Sequence, residues 1–525
     1  MKEQLTGGRA LVSALRVHGV DTVFGIPGTH NLEVYRHLAL AGIRAVAVRH
    51  EQGAGYAADG YARSSGRPGV CVVTSGPAVL NAAAAIGQAY SDSVPLLVIS
   101  PGLPLRHPGR GNGFLHEMRD QSGTLGSVAG YSRRVTSVAE VPLAVAEAFA
   151  SFRSGRPRPV HLEVPVDVLE ETAEVVVGRP LPVARLVPEA GVLARVARVL
   201  AAAERVAVLV GGGAKAASAQ VRELAERLGA PVLATANGKG VLDEEHPLSL
   251  GAGVHLGAVG ELVRECEVLV VLGSELAPSD FWGGPMPAPR ILVRVDLDAG
   301  QLRVNAEPDL AVAGDVGEVL GGLLPLLAER GTDIAWVARW RERLRQDARA
   351  EGARWLWLLE VLGQELGDGV LGADSAMTCY YGALANLVVR RPGGFLYPTG
   401  FGTLGFGLPA AIGAALALPG TRVAALLGDG GVMFTVAELA TAAQLGLPLP
   451  VLVVDNGGYG EIRAEMAQRG DPVQAVDLPG PDFVALARAL GCHGERIAHG
   501  DAESLRAALR EAFAADRPTV LHLPE

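Results

Sequence analysis

The sequence of 525 residues is poor in lysine, cysteine and aromatic side chains. Lys2, Lys215 and Lys239 are its only lysines, aromatic residues make up 5% of the chain, and there are four cysteines. The cysteines form no CxxC pair, so the pattern favours a reducing compartment over a disulfide-bonded secreted protein. The formal net charge of −10 gives no basic footprint, which predicts that nucleic acid is not a partner.

Long apolar segments are absent as well. No uninterrupted apolar run reaches the roughly 18 residues that suggest a transmembrane helix. The opening residues, MKEQLTGGRA, lack the apolar centre of a secretory signal peptide. These absences predict a cytoplasmic protein with no membrane partner. Hydrophobic residues nevertheless make up 49% of the sequence, which is enough for a large α/β core.

Apolar runs typical of buried strands alternate with helical patterns along the whole chain. Residues 1–172, 189–330 and 351–525 each show this alternation, which predicts an α/β protein of three domains, each built on a doubly wound parallel sheet. The proline- and valine-rich piece Gly178–Pro188 is predicted to be a linker. Gly331–Arg349 is predicted to be a charged helical connector. The length agrees, since about 150 residues per domain gives roughly three domains.

One segment, Gly428–Asn456, is unusually informative. It reads GDGGVMFTVAELATAAQLGLPLPVLVVDN and follows a short apolar run, so it predicts strand, glycine turn, helix and strand. In such a parallel unit both strands end at one edge of the sheet, where Asp429 and Asn456 can meet. A carboxylate, an amide oxygen and backbone carbonyls suit Mg²⁺, which completes its shell with water and phosphate oxygens. Alternatively, the GDG turn only closes a strand–helix junction.

Glycines in this segment favour a diphosphate ligand. Gly430 and Gly431 let the backbone approach phosphate oxygens, and the N-terminus of the following helix adds N–H donors. The segment also resembles the signature of thiamine diphosphate enzymes, a GDG turn followed one strand later by an asparagine pair. Here the pair reads Asp455-Asn456, so its first asparagine is replaced. The resemblance implies thiamine diphosphate as cofactor. The Mg²⁺ ligands that it implies are Asp429, Asn456 and the carbonyl oxygen of Gly458.

A second block, RHEQGAGYAADGYAR from Arg49 to Arg63, leads into a helix of small residues. It resembles the N-terminal block of acetolactate synthases and 2-oxo acid decarboxylases. The resemblance implies that Glu51 is the carboxylate that protonates the aminopyrimidine ring of the cofactor. Such a carboxylate works best when it is buried, because burial raises its pKa toward neutrality. Alternatively, Glu51 only lies at the start of a surface helix, where glutamate is common.

A third block, GFGTLGFGLP from Gly400 to Pro409, resembles the glycine-rich stretch beneath the thiazolium ring in the same enzymes. The resemblance implies that Leu404 is the apolar wedge under this ring and that the carbonyl of Gly402 accepts from the 4′-amino group. Asn81, in TSGPAVLN, belongs by the same resemblance to a loop that reaches the cofactor. Without a cofactor, the block is also typical of a glycine-rich turn before a helix.

The resemblance also implies two walls of a substrate site. One wall consists of FGIPGTHNL, TSGPAVLN and GFLHE, and in the last of these His116 stands where acetolactate synthases have glutamine. A histidine can pass protons near pH 7, so His116 is also a candidate catalytic residue; it could equally be an exposed loop residue. On the other wall, Glu461 could recognise a basic substrate tail or pair with Arg463. The candidate substrate contacts are Thr29, His30, Thr74, His116, Glu461 and Ile462.

The resemblance to acetolactate synthases would suggest FAD in the middle domain. The glycine run Gly211–Gly213 follows a strand but does not form the GxGxxG of a dinucleotide turn. The flavin-binding loops of acetolactate synthases are replaced here by Gly251–His255 and Leu272–Glu275. We therefore expect no FAD and a purely structural middle domain.

Similarity to this family covers the whole chain, and GTHNLEVYRHL, GFLHE and GYGEIR resemble most closely bacterial decarboxylases of the 5-guanidino-2-oxopentanoate type. We predict a lyase that depends on thiamine diphosphate and Mg²⁺ and decarboxylates a 2-oxo acid to an aldehyde. The more specific form of this prediction is a 2-oxo acid with a basic side chain. The alternatives are an acetolactate synthase or another carboligase, which are transferases, and a catalytically silent cofactor-binding subunit. In this family the glutamate and the metal clamp come from different subunits. That implies at least a homodimer, and homotetramers are frequent.

Overall fold

The computed structural model describes the chain except for Met1, Leu181 and Gly283. Three six-stranded sheets, each parallel throughout, and one two-stranded antiparallel pair make up its β-structure. The predicted α/β fold with three doubly wound parallel sheets is confirmed. The predicted linker around Leu181 contains no helix or strand in its described residues. Among the described residues, no helix is long and apolar enough to cross a membrane.

The N-terminal part of the chain forms the first sheet, in the order β3-β2-β4-β5-β7-β6. Strands β1 and β8 form the antiparallel pair beside it, which the sequence did not predict. The strands are β1 (Lys2–Thr6), β2 (Thr22–Gly25), β3 (Arg44–Ala47), β4 (Gly69–Val72), β5 (Leu96–Gly102), β6 (Tyr131–Arg134), β7 (Val160–Pro165) and β8 (Thr172–Val176). The helices are α1 (Gly7–Val17), α2 (Leu32–Leu38), α3 (Glu51–Ser65), α4 (Pro77–Asn81), α5 (Ala83–Ser91), α6 (Gln121–Gly126), α7 (Val141–Ser154) and α8 (Val166–Glu170).

The second sheet has the order β11-β10-β9-β12-β13-β14. Its central strands β9 and β12 are entirely buried runs of valine, leucine and alanine, as expected for parallel strands covered on both faces. The strands are β9 (Val206–Val210), β10 (Val232–Ala234), β11 (Ser249–Ala252), β12 (Val268–Leu272), β13 (Ile291–Asp296) and β14 (Leu310–Ala313). The helices are α9 (Ala190–Ala202), α10 (Ser218–Leu228), α11 (Gly257–Glu265) and α12 (Val316–Leu323).

The third sheet has the order β16-β15-β17-β18-β20-β19, and the connector α13 precedes it. A π-helical turn, Thr378–Ala383, follows its first strand. The strands are β15 (Val370–Ala373), β16 (Phe395–Leu396), β17 (Val423–Gly428), β18 (Pro450–Asp455), β19 (His493–Arg496) and β20 (Thr519–Pro524). The helices are α13 (Ile334–Glu351), α14 (Leu356–Leu366), α15 (Leu384–Asn386), α16 (Gly407–Ala417), α17 (Asp429–Val432), α18 (Glu438–Gln444), α19 (Gly460–Arg469), α20 (Phe483–Ala489) and α21 (Ala502–Ala514).

Helices α3 and α16 join the first and third sheets by direct backbone contact. A Cβ atom on Gly60 would collide with the carbonyl of Ala410, and one on Gly413 would collide with the carbonyl of Ala57. Only glycine allows the two helices to approach this closely. The small residues of the Arg49–Arg63 block therefore serve the packing of two domains, and this packing fixes where Glu51 begins α3.

Candidate active site

The predicted metal clamp lies where two neighbouring parallel strands end. Strands β17 and β18 pair in register, so Asp429 and Asn456 leave the same edge of the sheet. The Asn456 backbone N–H donates to Asp429 Oδ1 at 3.3 Å. Asp429 is buried, and burial raises the pKa of its carboxyl. The buried Asn456 Oδ1 receives no hydrogen bond from the described residues. A cation between these two oxygen ligands would stabilise both groups.

The glycines of the clamp fit a bound diphosphate. A Cβ on Gly430 would lie 2.9 Å from the ring of Tyr459, and one on Gly431 would lie 2.5 Å from Asp374 Oδ2. Both positions therefore leave room only for backbone. Gly458 has φ 136°, which favours glycine. These residues fit thiamine diphosphate and a divalent cation.

Asp455, which replaces the first asparagine of the signature, has a separate role. The carboxylate of Asp455 accepts from the Gly457 backbone N–H at 3.0 Å and lies 2.8 Å from His522 Nε2. Its side chain therefore closes the turn after β18 and binds a neighbouring strand. Burial raises the pKa of the Asp429 carboxyl, and the negative charge of the neighbouring Asp455 adds to this effect.

The turn that carries Leu404 is held by Asp374, a residue that the sequence analysis missed. Its completely buried carboxylate accepts from the backbone N–H groups of Gly405 and Phe406, both at 3.0 Å. Burial raises the pKa of Asp374 to about 6, although these hydrogen bonds act to lower it. The Thr435 hydroxyl donates to the Gly405 carbonyl at 2.7 Å. An aspartate directly after a buried strand was the available sequence signal.

One cavity of about 270 Å³ collects much of the predicted site. Its lining includes parts of the clamp, the glycine-rich turn and the first turn of α19. The predicted residues that line it are Gly402, Leu404, Asp429, Gly430, Gly431, Asn456, Gly458, Glu461 and Ile462. The predicted residues that do not line it are Thr29, His30, Glu51, Thr74, Asn81 and His116. A single chain thus carries the predicted site as two separate halves.

In the second half, Glu51 is the first residue of α3 and accepts from Asn81 Nδ2 at 2.9 Å. In the single chain the Glu51 side chain is only half-buried and Asn81 is exposed. The reason is that α3 begins at the domain surface, with the His50 side chain capping it. Burial there would require a further surface to cover this helix start.

A buried glutamate from the third domain fixes the position of Glu51. Glu438 Oε1 accepts from the backbone N–H groups of Arg49 and His50, both at 3.0 Å, and the Thr441 hydroxyl donates to its other oxygen at 2.6 Å. Burial raises the pKa of the Glu438 carboxyl. No local sequence signal pairs Glu438 with Arg49, since 389 positions separate them.

Two histidines of this half share one serine hydroxyl. Ser75 Oγ lies 2.7 Å from His30 Nδ1 and 3.3 Å from His116 Nδ1, and the two rings meet edge to face at 5.1 Å. Burial, followed by the charge of His116, lowers the pKa of His30. Thr74 Oγ1 is buried without a hydrogen-bond partner among the described residues, whereas Thr29 is exposed. Ser75 was missed by the sequence analysis, although it lies within TSGPAVLN.

Glu461 has a different partner from the one that the sequence offered. The Tyr381 hydroxyl donates to Glu461 Oε1 at 2.8 Å. The alternative of an ion pair between Glu461 and Arg463 is wrong, because Arg463 pairs with Asp477 at 2.7 Å and also donates to backbone carbonyls. No cation in the described residues forms an ion pair with Glu461.

A larger cavity of about 500 Å³ lies at the carboxyl ends of β9 and β12, where the strand order of the second sheet reverses. Such a switch point is the usual ligand position in doubly wound sheets. Its lining includes Ser274, Glu275 and two perturbed groups. Burial lowers the pKa of Lys215 to about 8 and raises that of Asp280 to about 7. The expected absence of FAD and the structural role of this domain remain predictions.

Three family models match the chain in the order of the three sheets. They are the thiamine pyrophosphate enzyme N-terminal TPP binding domain over residues 5–124, the central domain over residues 193–323 and the C-terminal TPP binding domain over residues 376–523. Together they cover most of the chain, and each model overlaps one of the three sheets.

Proteins similar to this chain include enzymes of two activities. A probable 2-ketoarginine decarboxylase, AruI of Pseudomonas aeruginosa, is 41% identical over 536 residues that cover 99% of this chain and 94% of the relative. The acetolactate synthase large subunit of Parasynechococcus marenigrum is 36% identical over 550 residues, covering 99% and 87%. The acetolactate synthase isozyme 2 large subunit of Escherichia coli is 32% identical over 536 residues, covering 99% and 95%. The chain therefore belongs to the thiamine pyrophosphate enzymes, in the branch that contains 2-oxo acid decarboxylases and acetolactate synthases.

Proposed function

We propose that the protein catalyses the non-oxidative decarboxylation of a 2-oxo acid with a basic side chain, releasing an aldehyde and CO₂. The observation that carries this proposal is the arrangement of His30 and His116 around the hydroxyl of Ser75. Release of an aldehyde after loss of CO₂ requires delivery of a proton to carbon, and histidines near neutral pH are suited to it.

The third domain holds the cofactor and a Mg²⁺ ion in this proposal. Asp429, Asn456 and the Gly458 carbonyl bind the metal, and the backbone at Gly430 and Gly431 binds the diphosphate. The unpartnered Asn456 Oδ1 supports this assignment. When bound, thiamine diphosphate supplies the nucleophilic carbon and the electron sink for decarboxylation. The cofactor contacts completing this set are the Leu404 side chain, the Gly402 carbonyl and Asn81.

The active unit in this proposal is at least a homodimer. Glu51 lies outside the cavity that contains the clamp, and its half-buried side chain starts a helix on the domain surface. A second subunit that brings its own clamp against Glu51 would bury this carboxylate and let it act as a proton donor to the aminopyrimidine ring. A homotetramer and a cytoplasmic location complete the proposal. FAD has no part in it.

The wall that carries Glu461 is the evidence for a basic side chain on the substrate. Glu461 lines the clamp cavity and accepts a hydrogen bond from a tyrosine hydroxyl. No cation among the described residues pairs with it. A guanidinium or ammonium group on the substrate would complete a charge-assisted hydrogen bond with this carboxylate. The relative named as a probable 2-ketoarginine decarboxylase takes its name from a substrate of this class.

Carboligation is the second candidate function, because acetolactate synthases are 32–36% identical to this chain. His116 argues for decarboxylation, since the second histidine ring next to Ser75 adds a proton donor. A catalytically silent subunit is disfavoured, because such a subunit has no use for Glu51 together with a complete clamp.

The test is incubation of the purified protein with thiamine diphosphate, Mg²⁺ and a panel of 2-oxo acids. The panel contains 5-guanidino-2-oxopentanoate, 2-oxohexanoate and pyruvate, and CO₂, aldehyde and acetolactate are measured together. We expect CO₂ and aldehyde in equal amounts, fastest from the guanidino acid. Acetolactate as the main product from pyruvate would replace this proposal with carboligation, and no CO₂ from any acid would support the silent subunit.

A further inference from the structure

An aromatic cluster connects the second domain to the wall that carries Glu461. The indole of Trp282 stacks on the ring of His255 at 3.7 Å and meets Tyr381 edge to face at 5.1 Å. Tyr380 and Tyr381 are 4.6 Å apart, also edge to face. Tyr380 lines the clamp cavity, and the Tyr381 hydroxyl binds Glu461. Tyr380 and Glu461 therefore line the proposed substrate site, and Trp282 and Tyr381 pack against them.

The cluster is held in place from both domains. Tyr380 and Tyr381 lie in the π-helical turn Thr378–Ala383, and such turns are frequent at functional sites. His255, beneath Trp282, lies 3.0 Å from the carboxylate of Glu351. Trp282 has a φ of 55°, which is a strained conformation for so large a residue. Packing against His255 and Tyr381 stabilises this conformation, while 43% of the tryptophan surface stays exposed.

The charges around the cluster are negative. Glu461 and Glu351 both lie against it, and burial together with the charge of Glu461 raises the pKa of Tyr380 and Tyr381, so both stay neutral. None of the cation–π pairs in the described residues uses these three rings. Aromatic faces beside a carboxylate that has no cationic partner are the groups that bind organic cations.

We propose that Tyr380, Tyr381 and Trp282, together with Glu461, form a composite site that selects the cationic end of the substrate. This inference rests on the proposed function and deepens it by naming the selecting residues. Glu461 accepts hydrogen bonds from the cation of the substrate, and the aromatic rings stack on the plane of this cation. Stacking favours a planar guanidinium over a compact ammonium. The second domain thereby takes part in substrate selection through Trp282.

Binding of two unreactive acids tests the inference without any turnover. 5-Guanidinopentanoate and 5-ureidopentanoate have the same length and nearly the same shape, but only the first is charged. Their affinities for the holoenzyme are measured by calorimetry in wild type, Trp282→Leu and Trp282→Phe. We expect wild type to prefer the guanidino acid by about 10-fold or more. Trp282→Leu should remove most of this preference and reduce ureido affinity far less than guanidino affinity, and Trp282→Phe should restore most of the preference.

Equal losses for both acids in Trp282→Leu, or an unchanged preference, would overturn the inference. Thermal unfolding of each variant checks folding. If Trp282→Leu is unstable, Tyr381→Phe replaces it, because this variant removes only the hydroxyl that orients Glu461 and should reduce the preference alone. Failure of the proposed function looks different: wild type would then prefer the guanidino acid but release no CO₂ from any 2-oxo acid. CO₂ release without any guanidino preference would remove the composite site and the basic side chain of the substrate, and would leave decarboxylation itself intact.

Discussion

The backbone N–H of Asn456 donates to the Asp429 carboxylate across the ends of two paired strands, at 3.3 Å. This contact brings the side-chain oxygen of Asn456, which has no donor in the described residues, close to a buried carboxylate. A cation would stabilise both a buried carboxylate and an amide oxygen that has no donor. The register between β17 and β18 therefore determines the geometry of the proposed metal site.

We expect Asp429→Ala to lose thiamine diphosphate and Mg²⁺ together. Neither the phosphates nor the protein alone fills the coordination shell of Mg²⁺, so removal of one protein ligand weakens both. Affinity for thiamine diphosphate, measured by calorimetry with and without Mg²⁺, should fall by about 100-fold or more, by analogy with the loss of groups that support a metal site.

Asp455→Asn is the matched control for that variant. The Asp455 carboxylate binds His522 and the turn after β18, so its replacement by the signature residue should leave cofactor affinity within a few-fold of wild type. The apo-protein of Asp429→Ala should stay folded by circular dichroism. Unchanged cofactor affinity in Asp429→Ala after EDTA treatment would show that the clamp lies elsewhere.

We expect Glu51→Gln to lower turnover by about 10²-fold or more, which is typical of lost acid–base catalysis. The amide keeps the shape of the side chain and can still contact Asn81, so folding and cofactor binding should survive. Steady-state kinetics and calorimetry separate the two effects. If turnover stays within a few-fold of wild type, Glu51 has no role in proton transfer.

The fold was predictable because its signals are local. Strands β9 and β12 appear in the sequence as continuous apolar runs, and helix α10 appears as helical periodicity. The antiparallel pair of β1 and β8 was not predicted, because its short strands are mostly exposed and have no continuous apolar pattern.

The meeting of Asp429 and Asn456 was predictable, because both residues directly follow paired parallel strands. Asp429, Asn456 and Leu404 line one cavity, as the motifs indicated. The supporting groups were not predictable. Glu438 reaches the backbone of Arg49 from a distant part of the chain, and only tertiary packing brings the Tyr381 hydroxyl to Glu461. Contacts between distant segments leave no trace in the periodicity of a single sequence.

We expect His116→Gln to change what happens after CO₂ is lost. Glutamine keeps a hydrogen-bonding side chain next to Ser75 but cannot deliver a proton at neutral pH. Aldehyde formation should fall by about 10²-fold, and the share of acetolactate formed from pyruvate should rise. Ser75→Ala should give a smaller loss, since it leaves both histidine rings in place. An unchanged ratio of aldehyde to acetolactate in His116→Gln would contradict the role of this histidine.

We expect the purified protein to be colourless and its activity to be independent of added FAD. The loops Gly251–His255 and Leu272–Glu275 lack the pattern of the flavin-binding acetolactate synthases. The cavity beside Ser274 and Glu275 is nevertheless large enough for a ligand, at about 500 Å³. An absorbance spectrum of the protein and of its heat-released supernatant decides the matter, and a yellow preparation that releases flavin would favour the acetolactate synthase branch.

We expect Glu461→Gln to lower kcat/KM selectively for substrates with a cationic tail. Glu461 lies on the wall of the clamp cavity with a tyrosine hydroxyl as its partner, so a substrate guanidinium would make a charge-assisted hydrogen bond with it. Such a bond contributes roughly 1.5 to 3 kcal/mol, which corresponds to about 10- to 100-fold in kcat/KM for 5-guanidino-2-oxopentanoate. Values for pyruvate and 2-oxohexanoate should hardly change.

Glu465→Gln, one turn further along α19 and exposed, is the matched control and should affect neither class. Equal losses on charged and neutral substrates would mean that Glu461 supports the position of Tyr381 and the π-helical turn. The basic-substrate hypothesis would then fail, while decarboxylation itself, which depends on Glu51 and the clamp, would stand.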